Sequence, residues 1–245
     1  MTSMDIGEQV SPFSLCPVLN DLLVQKRAVG KNGRLFENLA ALSTLNNLKT
    51  IYSLMLKFTP ACTLEIGFAF GASALLFCAL HKEIGHRPEQ QHILIDPFQT
   101  TTWDSCGLMA LERAGLCKFA DYRPQPSAIA LPKLLEAEQT FELAYVDGSH
   151  LFEDVFLDAY YVIRMLTIGG IVAFDDSTNP HIAKVLEFLR GNIGSGLEEL
   201  NLSHFREQAN SFSYQLARRL GKVQLTAFRR VDNVERMWDA PLYSF

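Results

Sequence analysis

From residue 62 onward the chain alternates between short apolar runs and longer amphipathic stretches. The runs CTLEIGF (62–68), HILIDPF (92–98), FADYR (119–123), FELAYVD (141–147) and GIVAFDD (170–176) have the length and content of buried strands. Between them, residues 72–82, 105–115, 127–137 and 151–166 carry apolar positions at helical spacing. This alternation predicts βαβ units, hence parallel strands with right-handed crossovers and helices on both faces. The expected class is α/β, a doubly wound and mostly parallel sheet.

The last third breaks the rhythm. It predicts a helix over 180–192, a short strand over 197–203, a helix over 213–220, and an antiparallel final strand in the alternating run KVQLTAFRRV (222–231). Upstream, 36–58 reads as an amphipathic helix. Residues 1–35, with a short apolar run VLNDLLV and a loop GKNGR, read as an N-terminal arm or lid. No linker follows, so 36–245 is expected to be a single domain. The apolar tail MWDAPLYSF is expected to dock on the body or on a second subunit.

In open parallel sheets, ligands bind at the carboxyl ends of the strands. The residues ending the apolar runs are Glu65 with Gly67 and Gly71, then Asp96, then Asp147 to His150, then Asp175 and Asp176. A single strand-end aspartate is ordinarily a turn or cap residue. Acids crowded on one rim repel one another, and such a rim favours a cation. The glycine turn reads E-x-G-x-x-x-G, not the G-x-G-x-x-G that holds a pyrophosphate. An acid beside the turn suits a cationic ligand, and Asp96 at the next strand end suits ribose hydroxyls. Glu65 and Asp96 together point to an adenosyl ligand that lacks phosphates and carries positive charge, which describes S-adenosylmethionine.

Composition narrows the class. The chain has 245 residues, 48% hydrophobic and 20% charged, with a net charge of −5, which argues against a general nucleic-acid binder. Its basic cluster, Arg218, Arg219 and Lys222 with Arg229 and Arg230, reads as solvated element ends. No apolar run has membrane-span length and the first residues lack a signal-peptide pattern, so a cytoplasmic protein without membrane partners is expected. The cysteines are scattered, with no CxxC pair to suggest a zinc site.

The motifs LEIGFAFGAS, HILIDPFQ, RPQPSAIALPKL, YVDGSH and GGIVAFDD, in this order, resemble those of the class I S-adenosylmethionine-dependent methyltransferases. More narrowly, they resemble the metal-dependent O-methyltransferases of the catechol and caffeoyl-CoA type and of the bacterial macrolide-sugar type. The resemblance covers about residues 36 to 231 and implies a Rossmann-like methyltransferase sheet. It implies that Glu65, Gly67, Phe68, Gly71 and Ser73 line the methionine end of the cofactor. Asp96 would hold the ribose, with Pro97 and Phe98 against the adenine and Ser127 at the adenine edge. Gly148 would let the chain pass the adenine beside Asp147. Asp147, Asp175 and Asp176 would hold a divalent metal such as Mg²⁺. The last pair is Asp-Asp, as in the sugar enzymes, where catechol-type enzymes have Asp then Asn. His150 stands where the sugar enzymes place a general base, with Asp147 beside it. The bland alternative for His150 is a helix-start histidine bonded to a carboxylate.

The acceptor is expected to be a small molecule bearing a hydroxyl, met by the arm, the loop 99–107 and the loop after Asp176. Trp103, Arg34, Asn179 and His181 are the candidates there, with packing or solvated roles as the alternatives. A homodimer is the expected assembly. Competing readings are a non-catalytic cofactor-binding relative, a nucleotide-dependent oxidoreductase on a similar sheet, and a metal hydrolase using the acidic rim alone.

Overall fold

The structure, a computed structural model, describes residues 14–87, 92–205 and 223–245. The helix expected over 213–220, the cluster Arg218, Arg219 and Lys222, and the first part of the arm lie outside the described residues.

The arm contains α1 (Pro17–Gln25) and a hairpin of β1 (Arg27–Val29) and β2 (Leu35–Glu37). Pro17 opens α1, where its missing N–H costs nothing, and a left-handed Lys26 closes it. The loop GKNGR is the turn of that hairpin. Next come α2 (Leu45–Phe58), β3 (Thr63–Ile66), α3 (Ala72–Ile84), β4 (His92–Ile95), α4 (Cys106–Arg113), β5 (Ala120–Arg123) and α5 (Ser127–Glu136). β6 (Phe141–Val146), α6 (Phe152–Met165), β7 (Leu166–Phe174), α7 (Pro180–Phe188), β8 (Leu197–Glu199) and β9 (Thr226–Arg230) follow among the described residues.

Among the described residues, seven strands form one sheet in the order β5-β4-β3-β6-β7-β9-β8. The first five are parallel. β9 runs antiparallel between β7 and β8, as the final strand was expected to do. The chain winds outward from β3 through β4 to β5, then returns to the other side of β3 with β6. The crevice between the carboxyl ends of β3 and β6 is therefore the topological switch point, where ligands sit in such sheets.

Strand alternation splits the core into two layers. Leu64, Ile66, Ile93, Ile95, Ala144 and Val146 face α5, α6 and α7. Leu94, Leu143 and Tyr145 face α2, α3 and α4. Thr63, Glu65 and His92 fall on this second face by the same period of two, and all are buried.

Several boundaries differ from the sequence expectation. The helix expected from 36 starts at Leu45, because Thr44 caps it through its side chain and residues 35–37 pair with β1 instead. β4 stops at Ile95, since the Asp96 side chain turns back onto the backbone N–H of Phe98. β7 begins at Leu166, directly out of α6, and its register against β6 shifts between Phe141 and Leu143. α7 ends at Phe188 and runs into a wider π turn, Leu189–Ile193. The tail does dock on the body: Asn192 bonds both backbone groups of Tyr243, at 2.9 and 3.0 Å, and Phe245 packs on Phe188. Among the described residues no helix is long and apolar enough to cross a membrane.

Candidate cofactor and metal site

The carboxyl ends of four neighbouring strands build the site. Gly67 N–H bonds the Ile95 carbonyl at 2.8 Å, Asp147 N–H bonds Ile66 at 2.9 Å, and Asp175 N–H bonds Val146 at 3.0 Å. These bonds carry the sheet register just past the strands and bring Glu65, Asp96, Asp147 and Asp175 to one rim.

Glu65 is fully buried. One carboxyl oxygen accepts from the Ser73 hydroxyl, and the other lies 2.9 Å from His92 Nε2. Burial lifts its pKa to about 8, opposed by the Ser73 hydrogen bond and reinforced by Asp96. A carboxyl so placed is mostly protonated at neutral pH, and a cation beside it would favour the ionised form. Gly67 (φ 80°) and Gly71 (φ 91°) turn the chain above it. A side chain at Gly67 would meet the Asp147 carbonyl oxygen at 2.3 Å, so only glycine lets β3 and β6 approach there. Phe68 is buried, edge-on to Tyr122 at 5.7 Å, and packs over Gly107.

Asp96 accepts from Phe98 N–H at 2.8 Å on one oxygen, and from Ala69 N–H at 3.1 Å and Gln99 Nε2 at 3.0 Å on the other. A carboxylate offers about four lone-pair sites, so the first oxygen can still accept a hydroxyl. Pro97 is half-buried, and the Phe98 ring is exposed beside it, free to cover a flat ligand. Ser127 opens α5 and neighbours Asp158 of α6. Burial raises the Asp158 carboxyl to about 7, with the Ser127 hydroxyl pulling the other way.

On the other side of the crevice, Asp147, His150 and Asp176 each offer a ligand atom, all within 4.8 Å of one another. His150 Nε2 lies 2.9 Å from Asp176, and both side chains are open to solvent. The convergent set therefore differs from the expected one: His150 takes the place of Asp175. Asp175 continues the strand and turns inward. Its oxygens accept from Asn47 Nδ2 at 2.7 Å, from Asp176 N–H at 2.7 Å, and from the Tyr145 hydroxyl. Asp176, in a left-handed conformation (φ 46°), turns outward, and Gln224 steadies it at 2.8 Å. Asp147 accepts from Ser43 at 3.1 Å and from Tyr145 at 3.3 Å. Burial, then repulsion from Asp175 and Asp176, raises the Asp147 carboxyl well above the usual range. Ser43, Asn47 and Tyr145, which hold these acids, were not singled out from sequence.

The four acceptor-pocket candidates all have partners. Asn179 caps α7, accepting from His181 N–H. His181 Nδ1 accepts from Phe152 N–H at 3.1 Å, at the start of α6. Trp103 packs on Phe70 at 5.1 Å. Arg34 lies over the Phe36 ring at 4.5 Å and donates to the Thr102 carbonyl. These contacts tie the arm to the loop after Asp96. The same loop supplies Asp104, missed from sequence, whose carboxylate accepts from Asn32 N–H at 3.0 Å and from the Asn32 amide at 2.5 Å.

Residues 64–177 match the family model Methyltransf_24, described as a methyltransferase domain. Among curated proteins no sequence relative matches. The structure is similar to the O-methyltransferase TomG from Streptomyces achromogenes, solved with SAM and described as involved in tomaymycin synthesis. That likeness has TM-score 0.60 at 13% identity and covers 94% of this chain and 93% of that one. It is also similar to an O-methyltransferase from Bacillus cereus in complex with SAH, with TM-score 0.56 at 13% identity, over 80% and 85% of the two chains. A third similar structure is CalS11, described as a TDP-rhamnose 3'-O-methyltransferase of calicheamicin biosynthesis, with TM-score 0.55 at 18% identity, over 76% and 79%. Residues 64–177 thus match a methyltransferase domain, and the whole chain has a fold similar to that of solved O-methyltransferases.

Proposed function

We propose that the chain transfers a methyl group from S-adenosylmethionine to a hydroxyl oxygen of a small molecule, a sugar or phenolic natural product, with a divalent cation at the outer acidic rim. The observation that carries the reading is the convergence of Asp147, His150 and Asp176 beside the glycine turn, with Glu65 buried behind it. Glu65 would take the cationic methionine end, and Asp96 the ribose. A sulfonium methyl is already activated, so the chain's main contribution is to hold the acceptor in line. Asp147 and Asp176 would hold the cation, with His150 within reach as a further ligand; a hard cation there lowers the pKa of a bound hydroxyl. When His150 is not a ligand, its Nε2–H donates to Asp176, and Nδ1 is left to take the acceptor proton. Asp176 then orients the imidazole as the carboxylate does in a hydrolase triad. The similar structures described as involved in tomaymycin synthesis and as a TDP-rhamnose 3'-O-methyltransferase support a natural-product hydroxyl as acceptor.

The test is methyl transfer to a panel of sugar and phenolic hydroxyls, with Mg²⁺ or Mn²⁺ and with excess chelator. Metal-dependent turnover that falls in His150→Ala, with SAH binding retained, is the expected result. Full turnover in chelator would remove the cation from the reading.

A further inference from the structure

Behind Glu65, on the face of the sheet that packs against α3, a row of polar side chains crosses the protein interior. His92 Nε2 lies 2.9 Å from Glu65, and His92 Nδ1 lies 2.8 Å from the Thr63 hydroxyl. The same hydroxyl lies 2.8 Å from His81 Nε2, and His81 Nδ1 lies 2.9 Å from His86 Nδ1. Glu65, Thr63, His81 and His92 are buried, while His86, just beyond the C-terminus of α3, reaches solvent. Polar groups are costly inside an apolar core, and a chain of them running to the surface calls for a reason beyond packing.

The chain has two complete proton arrangements. In one, protonated Glu65 donates to His92 Nε2, His92 Nδ1–H donates to Thr63, Thr63 donates to His81 Nε2, and His81 Nδ1–H donates to His86 Nδ1. In the other, every donor is reversed: His86 Nδ1–H donates to His81, His81 Nε2–H to Thr63, Thr63 to His92 Nδ1, and His92 Nε2–H to an ionised Glu65. Passing from the first to the second moves one proton along each link. His86 then holds a proton on both nitrogens and releases the one on Nε2 to water. One O–H bond at Glu65 is lost, one proton enters solvent, and each interior imidazole ends neutral.

We propose that Glu65, His92, Thr63, His81 and His86 form a proton path through which Glu65 discharges to solvent when a cationic ligand enters the site. Cofactor binding and release of a proton at His86, beyond the C-terminus of α3, are then a single event. This rests on the cofactor reading given above for Glu65. The groups facing Glu65 fit the role. Burial brings His92 and His81 down to about 3, so both pass protons without holding charge. From α3, Ser73 bonds the carboxyl, and Cys78, its thiol raised by burial, stays neutral. Asp96 beyond β4 and Asp147 beyond β6 are acids that oppose ionisation of Glu65, and Tyr145, its register partner on β6, keeps its proton. Ionisation of Glu65 therefore waits for a positive ligand.

The experiment uses the full chain, free and saturated with SAH, which carries the same ammonium group. Nitrogen NMR of the histidine rings at pH 7 should show His92 and His81 exchanging tautomer together on SAH addition, His92 from Nδ1–H to Nε2–H. Calorimetry in buffers of different ionisation enthalpy should show close to one proton released per SAH. Thr63→Val should leave the His81 tautomer unresponsive to SAH, and Thr63→Ser should restore the response; a packing role alone would move neither. The wild-type measurements decide the matter even if Thr63→Val fails to fold. SAH binding with no tautomer exchange and no proton release overturns the proton path and leaves the cofactor reading standing. No SAH binding at any pH overturns both.

Discussion

The acids of the crevice fall into two groups that differ in what surrounds them. Glu65 is sealed under α3 and held by a hydroxyl and an imidazole, with its pKa near 8. Asp176 and His150 sit at the rim with about a third and half of their side chains exposed. Asp147 stands between the two groups, half-buried and bonded to Ser43. The same strand-end position thus gives two environments. Burial holds the inner carboxyl's pKa at about 8, whereas Asp176 at the rim is open to water. Depth below the sheet edge makes the difference, since residue type is nearly the same.

The sharpest way to break this contrast is at the rim. Asp147→Asn removes a charge shared by the cation and by His150's surroundings, and methyl transfer should fall at least about a hundredfold, as loss of several kcal/mol of electrostatic stabilisation implies. Its melting temperature should hold or rise, because a crowded carboxyl with a raised pKa is relieved. A collapse of the fold would show that Asp147 is structural.

Glu65→Gln makes the complementary change. It resembles the protonated acid, so the ligand-free chain should fold at least as well, while SAH affinity should drop at least about tenfold through loss of a charged hydrogen bond. Equal affinity measured by titration would place the cationic end of the cofactor elsewhere.

The pH dependence of stability gives a smaller effect with a definite sign. Between the ordinary value of 4.5 and about 8, the unfolded chain has released the Glu65 proton and the folded chain has not, so this group lowers stability as pH rises. Asp158, raised from 3.8 to about 7, acts in the same direction. His81 and His92, lowered from 6.5 to about 3, act oppositely, and their contribution is complete above pH 6.5. From pH 6.5 to 8 the acids act alone. The melting temperature of the ligand-free chain should decline over that interval, and Glu65→Gln should flatten much of the decline. A flat profile in the wild type would mean that Glu65 is already ionised.

Tyr145→Phe should have the least effect. It deletes a hydroxyl shared by Asp175, Asp147 and Ser43. A stability loss of about 1–3 kcal/mol, measured by denaturant unfolding, is expected from leaving the inward Asp175 underbonded.

Much of this was legible in sequence because it follows from local pattern. Short apolar runs ending in acids placed β3, β4, β6 and β7 and the rim residues at their ends. The inward turn of Asp175 was not legible, because it depends on Asn47, a partner 128 residues away in α2, and on the left-handed backbone of Asp176. Ser43 likewise reaches Asp147 across 104 residues. The buried chain left a faint signal in Thr63 and Glu65 at i and i+2 of an apolar strand. It becomes readable only when the register pairs Thr63 with His92. The hairpin of the arm was missed because strands of 3 residues carry too little periodicity to be recognised.

Asp104 also bears on how this protein can be re-engineered. Its carboxylate fills the turn of the arm's hairpin so closely that a methyl group at Gly30 would lie 2.2 Å from it. The hairpin and the loop after Asp96 therefore form a single exchangeable module. A chimera that imports residues 27–37 from a relative without the matching 99–107 segment should lose solubility or cofactor affinity. The paired graft should keep both.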